Sequence, residues 1–341
     1  MNSKIVAILT IILVLVGLKF FYKPDVDQTA LTQTAPTQQT SVTGQNAPTN
    51  PNGNSMNKSG DDVFVPATQK YASAAEALDA ARRAAVDYDD ALMISFNNLK
   101  NCSWCEEFYA GIEKMAGDPA ISLDQRAYFA EVLAGSGDVD ILKKLVGLYE
   151  TATVTEDKEM FGEALEMAEG GDDMVQYLSA YLTNSDATLR ESVVSAISNQ
   201  GSRLAVETLY KDMISGGGAN TDYYSMGTGL AETVPDETAI PYLHELLIQR
   251  APKSEHVVKA LLNDGMEGIT VVFDALSSEK DEARGKQLLR DALDHIITDD
   301  EVTNFLTKAS VTETYPNFLR EFAKEALAEA QSEDLEDDED F

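Results

Sequence analysis

One register runs through most of this chain and limits what it can become. In YFAEVLAGSGDVDILKKLVGLY, GEALEMAEGGDDMVQYLSAYL, SVVSAISNQGSRLAVETLYKDM, GTGLAETVPDETAIPYLHELL and VKALLNDGMEGITVVFDAL, an apolar helical face leads into a turn, a capping residue and a second apolar helix. LRDALDHIITDDEVTNFLTKA fits more loosely. The turns fall at Gly137, Gly171, Gly201, Pro235, Gly265 and about Thr298, spaced 34, 30, 34, 30 and 33 residues. Asp138, Asp172, Ser202, Asp236 and Asp299 follow as N-caps, whose side-chain oxygens accept from otherwise unpaired helix N–H groups. Leu145, Leu209, Leu243 and Leu306 come seven residues after four of these caps, two helical turns along on the same face. Glycine at the turn supplies the left-handed backbone that ends the first helix. A hairpin this small cannot bury its own face, so stacked neighbours have to complete the core.

The pattern resembles the short, roughly thirty-residue class of HEAT-like repeats. Asp186 to Ser215 fits best: Leu189-Arg190, Val194, Ala196-Ile197 and, after the turn, Ala205-Val206 stand where that family places its characteristic residues. Arg126 precedes Gly137 by eleven residues, as Arg190 precedes Gly201. The resemblance covers about residues 121–310. It implies an all-α fold, an α-solenoid of helical hairpins, and says little of function, because such repeats serve as scaffolds, adaptors and occasional enzyme-associated modules. In such stacks the second helix of each unit lines the concave side, which makes Tyr177, Tyr181, Tyr210 and Tyr242 candidate protein-contact residues. Tyr149 has the same placement, and core packing is the competing explanation for all five. Tetratricopeptide repeats have a similar period, but their Trp/Leu-Gly/Tyr spacing is missing.

The repeats are expected over residues 121–328, and a helical region over 67–120 precedes them. That region opens on Ser73 and Glu76, a capping box before the Ala-rich run Ala74 to Ala85. Leu92, Ile94 and Phe96 come closest to strand alternation, yet their surroundings read as helix. Gly216-Gly217-Gly218 is expected to be a long flexible joint, either a hinge in the superhelix or a longer loop. A polar last helix is expected from Pro316 to about Ala330. Residues 329–341, ending SEDLEDDEDF, read as a disordered acidic tail that could engage a basic partner.

Residues 1–23 and 24–66 are of other kinds. Ile5 to Leu18 is almost wholly apolar, and Lys19 can snorkel so that Phe20, Phe21 and Tyr22 lengthen the run towards a bilayer span. Bulky Leu18, Phe20, Phe21 and Tyr22 stand where a cleavage site would need small residues, so the expectation is an uncleaved signal-anchor. The acidic remainder suits the extracytoplasmic, periplasmic side. From Gln28 to Gly60 the chain is mostly Thr, Gln, Asn, Pro, Ser and Gly, a composition expected to stay disordered. Its average reach would be about 30 Å and its contour about 100 Å.

Charge excludes one large class of function. With 58 acidic and 26 basic residues the net charge is −32, a surface that repels nucleic acid and anionic headgroups and attracts cations or a basic protein. Solubility in a salty medium explains it equally.

Cys102 and Cys105, in KNCSWCEEF, are the only cysteines. Trp104, Phe108, Ile112 and Met115 recur at helical spacing, with Asn101 as N-cap and Cys102 at the first helical position, where a thiolate is stabilised. Thioredoxin-like proteins, however, place Trp before the first Cys and need downstream strands and a facing proline. Haem attachment would need His at position 106, which is Glu106. The reading is a local disulfide that staples the helix start, with thiol–disulfide exchange or a redox-regulated adaptor as the alternative. His244-Glu245 lacks the second histidine of a zinc helix, since Ile248 stands there. His256 and His295 read as solvated or capping, and Asp138-Val139-Asp140 and Asp172-Asp173 as helix caps. No phosphate, dinucleotide or nucleophile-elbow motif occurs. The expectation is therefore a non-catalytic, membrane-tethered scaffold or adaptor that binds another protein, with no cofactor or metal.

Overall fold

Helical periodicity with recurring caps dictates an all-α molecule, and the described residues form one: seventeen α-helices, a 3₁₀ turn and no strand among them. The computed structural model describes residues 67–97, 99, 102–215, 226–297 and 299–337. The expected anchor and linker, Asn101, Gly216-Gly217-Gly218 and Thr298 lie outside them. Among the described residues no helix is long and apolar enough to cross a membrane.

Four helices come before the pairs: α1 (Ala67–Lys70), α2 (Ala74–Asp87), α3 (Asp90–Ser95) and α4 (Cys105–Ala116). Six pairs follow: α5 (Leu123–Ala134) with α6 (Val139–Thr151), α7 (Thr155–Glu166) with α8 (Asp172–Ser179), and α9 (Ala187–Ser198) with α10 (Arg203–Ser215). Next come α11 (Met226–Glu232) with α12 (Ile240–Ile248), α13 (Ser254–Leu262) with α14 (Gly265–Ser277), and α15 (Glu282–Leu288) with α16 (Asp300–Ala309). The 3₁₀ turn (Leu293–His295) interrupts the last pair, and α17 (Asn317–Asp337) closes the series. First helices pack on first helices, α5 on α7, α9, α11, α13 and α15 in turn. Second helices do the same from α6 to α16, while α6 also meets α7, α8 meets α9, α10 meets α11 and α12 meets α13. At the start α2 lies on α4 and α5, and at the end α17 lies on α14, α15 and α16.

The recurring leucines carry this packing. Leu145, Leu209, Leu243 and Leu306 are all fully buried, each contributing about 2 kcal/mol of burial. Polar rungs tie neighbouring pairs together where first helices end. Asn199 Nδ2 donates to the Glu166 carbonyl at 2.7 Å, Gln200 Nε2 to the Ala168 carbonyl at 2.8 Å, and Asn263 Nδ2 to the Ala231 carbonyl at 2.7 Å. Backbone bonds reinforce them, from Glu169 N–H to the Ala134 carbonyl at 3.2 Å and from Asp236 N–H to the Gly201 carbonyl at 2.8 Å. Arg126 is buried, donating to the Ala116 carbonyl and to Asp157, each at 2.8 Å, and so links α5 to its neighbours on both sides.

The caps follow the expectation with two departures. Asp138 accepts from Asp140 N–H at 2.8 Å, Asp299 from Val302 N–H at 2.7 Å and Ser202 from Ala205 N–H at 3.3 Å. Asp172, by contrast, is already helical and Gly171 is the N-cap; its carboxylate instead accepts the Ser202 hydroxyl at 2.9 Å. Asp236 caps a turn that precedes α12, accepting from Thr238 N–H at 2.8 Å. Gly137, Gly201 and Gly265 have φ of 64°, 63° and 63°, the left-handed backbone expected. Gly171 does not, because at φ −150° it is extended. At Gly201 a Cβ would also stand 2.3 Å from the Val234 carbonyl oxygen.

Two helix bounds differ from expectation. α4 begins at Cys105, with Trp104 as N-cap, so Cys102 precedes the helix. Cys105 N–H bonds back to the Cys102 carbonyl at 3.3 Å, a turn that leads into the helix. α17 runs to Asp337, well into the stretch expected to be a tail. Ala, Glu, Gln and Leu are strong helix formers, and net charge alone does not reveal that.

Candidate protein-contact site

In α8 the apolar Met174, Val175 and Leu178 face inward, which turns Tyr177 to the side of the helix, half-buried. Its hydroxyl lies 3.1 Å from that of Tyr181 and the rings meet edge-on at 5.5 Å. Lys143 Nζ stands 5.8 Å above the Tyr177 ring. Burial raises the Tyr177 hydroxyl well above its ordinary value, and the bond to Tyr181 adds to this. Tyr242 on α12 is also half-buried, with the Arg203 guanidinium 5.6 Å from its ring. Its hydroxyl is pushed up to about 12, first by burial and then by the neighbouring Glu207.

Tyr210 is different. Only 4% of it is exposed and its hydroxyl donates to the Pro252 carbonyl at 2.9 Å. It touches Tyr242 edge-on at 6.4 Å. The structure thus brings Tyr177 together with Tyr181, and Tyr210 with Tyr242. Tyr177, Tyr181 and Tyr242 are half-buried, whereas Tyr210 belongs to the core. Tyr149 is interior as well, its hydroxyl 3.0 Å from Asp186, which also receives Lys158 at 3.0 Å.

A series of carboxylates on the first helices went unremarked in the sequence. Glu131 on α5 accepts the Tyr88 hydroxyl, and its carboxyl is pushed up to about 7. Burial is the main cause, with Asp90 and Glu163 adding to it and the Tyr88 bond opposing it. Glu166 on α7 accepts the Ser192 hydroxyl at 3.2 Å and is likewise pushed up to about 7. Burial again leads, followed by Glu163, Glu191 and Glu232 against the Ser192 bond. Glu232 on α11 is raised by burial too. Glu131 and Glu166 lie 35 residues apart, close to one repeat. That period was the available signal, but isolated glutamates on a helix read as solvated until the neighbouring helix is in place.

The sulfurs of Cys102 and Cys105 are 1.98 Å apart, at disulfide-bonding distance. They adjoin a chain of aromatic contacts: Trp104 to Phe108 at 5.9 Å, Phe108 to Phe96 at 4.8 Å and Phe96 to Tyr71 at 6.0 Å. His244 Nε2 lies 3.4 Å from Asp274, between α12 and α14, and His295 Nδ1 lies 3.1 Å from Asn263 Oδ1. His295, half-buried, is therefore part of a polar rung, and burial lowers its pKa. Among the described residues no group of three or more His, Cys, Asp or Glu is placed to hold a metal ion. A cavity of about 500 Å³ between α14 and α16, lined by Phe305, Lys308 and Tyr315 among others, includes none of these candidate residues. No family model matches the chain. No curated protein matches it either.

Proposed function

We propose that the chain is a membrane-tethered helical-repeat scaffold, an α-solenoid on the extracytoplasmic side that works by binding another protein and not by catalysis. The observation that supports this reading is the packing of first helices on first helices and second on second through six successive pairs. Such a series presents a long, shape-constant surface, which is suited to holding a partner. The half-exposed Tyr177, Tyr181 and Tyr242 supply rigid aromatic contacts. The net charge of −32 favours a basic partner. Residues 1–23 would hold the protein to the membrane, and residues 24–66 would set its reach.

The test is capture from the protein's own cell envelope with a tagged full chain in detergent. A Tyr177→Ala/Tyr181→Ala/Tyr242→Ala variant should lose about tenfold of a captured protein that wild type retains, and raised salt should weaken capture. Equal capture by the variant would remove the contact face. A wild type that retains nothing beyond an unrelated acidic control would end the scaffold reading.

A further inference from the structure

Cys102 and Cys105 are not equivalent. Cys105 is the first residue of the twelve-residue helix α4 and only 9% exposed, whereas Cys102 precedes the helix and is half-exposed. We propose that this disulfide is a reversible redox latch on the N-terminal helices, opened by a dithiol reductant that attacks Cys102. The reductant's thiolate bonds to Cys102 Sγ as the Cys102–Cys105 bond breaks. Cys105 leaves as a thiolate at the start of α4, where unpaired N–H groups and the helix dipole favour negative charge, and it then takes up a proton. The reductant's second thiolate attacks the mixed disulfide, closes its own disulfide and releases Cys102. The protein gains two electrons and two protons, and the dithiol supplies both.

The surroundings allow the bond to open without unfolding. It encloses only Ser103 and Trp104, so it constrains the unfolded chain less than a long crosslink would. Other contacts hold the same turn, namely the Cys105 N–H to Cys102 carbonyl bond at 3.3 Å and the edge-on Trp104–Phe108 contact. Glu106 and Glu107, on the first turn of α4 and exposed, oppose the thiolate through water, where their charge is screened. Opening the latch loosens the segment that carries the buried Leu99 and Trp104 into the aromatic core. The latch is independent of the partner-binding reading, which rests on helix packing, so the two fail separately.

The experiment uses purified full chain in detergent and dithiothreitol. Trp104 is the only tryptophan, so its emission reports the latch directly. Dithiothreitol should change that emission while the helical circular dichroism stays constant, and removing it and adding oxidised glutathione should restore it. By mass spectrometry, Cys105→Ser should trap the mixed disulfide with oxidised glutathione about tenfold more than Cys102→Ser, because the remaining thiol is then the accessible one. A Cys102→Ala/Cys105→Ala double variant should keep its helical signal. A bond that resists dithiothreitol until urea unfolds the chain, equal or reversed trapping, or an unfolded double variant would each make the bond a staple and overturn the proposal.

Discussion

The helix pairs between Leu123 and Ala309 and the N-terminal helices α1–α4 both bury apolar cores, but by different means. Four of the six pairs bury the recurring leucine, and α9 and α13 each end in an amide rung to the carbonyls of the first helix of the preceding pair. The N-terminal helices repeat nothing. Their core is Tyr71, Phe96, Trp104, Phe108 and Tyr109, with a disulfide beside it. A pair within the series has to match a neighbour on each side, so its backbone spacing is fixed. The N-terminal helices meet the pairs on one side only, and large aromatic side chains can fill whatever space remains. Tight backbone contact should therefore be intolerant of change in the pairs and forgiving before them.

Two glycines put that contrast to the test with the largest expected effect. A Cβ at Gly268 would stand 1.7 Å from the Leu261 carbonyl oxygen, whereas a Cβ at Gly111 would meet the Leu78 Cδ1 at 2.6 Å. A carbonyl in α13 cannot move without shifting the helix, but a leucine end can turn aside. Gly268→Ala should cost about 4 kcal/mol or more, and Gly111→Ala about 1 kcal/mol. Urea denaturation of both variants measures this, and equal costs would show that the two regions are equally constrained.

The next effect is Leu209→Ala. Its side chain is fully buried in the middle of the series, so truncation should cost about 3 kcal/mol. Far-UV circular dichroism follows the pairs while Trp104 fluorescence follows the N-terminal helices. The dichroism midpoint should fall further than the fluorescence midpoint if the pairs are coupled mainly to their neighbours. Transitions that shift together would make the whole a single cooperative unit.

How much of this was legible beforehand differs between the same two regions. In the pairs, turns, caps and buried leucines could be read because each recurs, and Gly137, Gly201 and Gly265 adopt the expected left-handed backbone. Gly171 misled because the same residue type serves as an extended N-cap when an acid follows it inside the helix. In the N-terminal region the start of α4 was misplaced by three residues, since Cys102 and Cys105 are both compatible with a helix start and only the buried Trp104 decides. The candidate site was less legible still. Tyrosine spacing identifies a helix face but not its depth. The burial of Tyr210 and the half-exposure of Tyr177 depend on the neighbouring helices.

Glu279 tests whether charge also joins the units. Its side chain is 3% exposed and bonds to both Arg250 and Arg284 at 2.6 Å. Burial alone would raise its carboxyl, but the Asp281 amide and the two arginines outweigh burial and hold it below the ordinary range. Its stabilisation is therefore present above the unfolded carboxylate value and lost as pH falls through the lower folded one. Glu279→Gln should cost about 2 kcal/mol at pH 7, with the difference from wild type shrinking as acid protonates the wild-type carboxyl. A loss that does not change with pH would mean that shape matters there and charge does not.

The smallest effect has the opposite sign. Glu131 and Glu166 rise from 4.5 to about 7 on folding, so the folded state holds their protons more tightly than the unfolded chain does. Their contribution is fully present below about pH 4.5 and is lost as pH rises through about 7. A glutamine at either position cannot ionise. Each variant should therefore be more stable than wild type at pH 8, by about 1 kcal/mol once partial exposure is allowed for, and close to wild type near pH 4.5. The two positions should differ in a way that returns to the contrast between regions. Glu166 and its partner Ser192 both lie within the pairs, whereas Glu131 takes a hydrogen bond from Tyr88, at the end of α2. Replacing Glu131 weakens that charge-assisted bond as well as removing the buried charge, so Glu131→Gln should gain less than Glu166→Gln at pH 8. Equal gains would show that the Tyr88 bond adds nothing to the joint between the N-terminal helices and the first pair, and would leave packing alone to hold it.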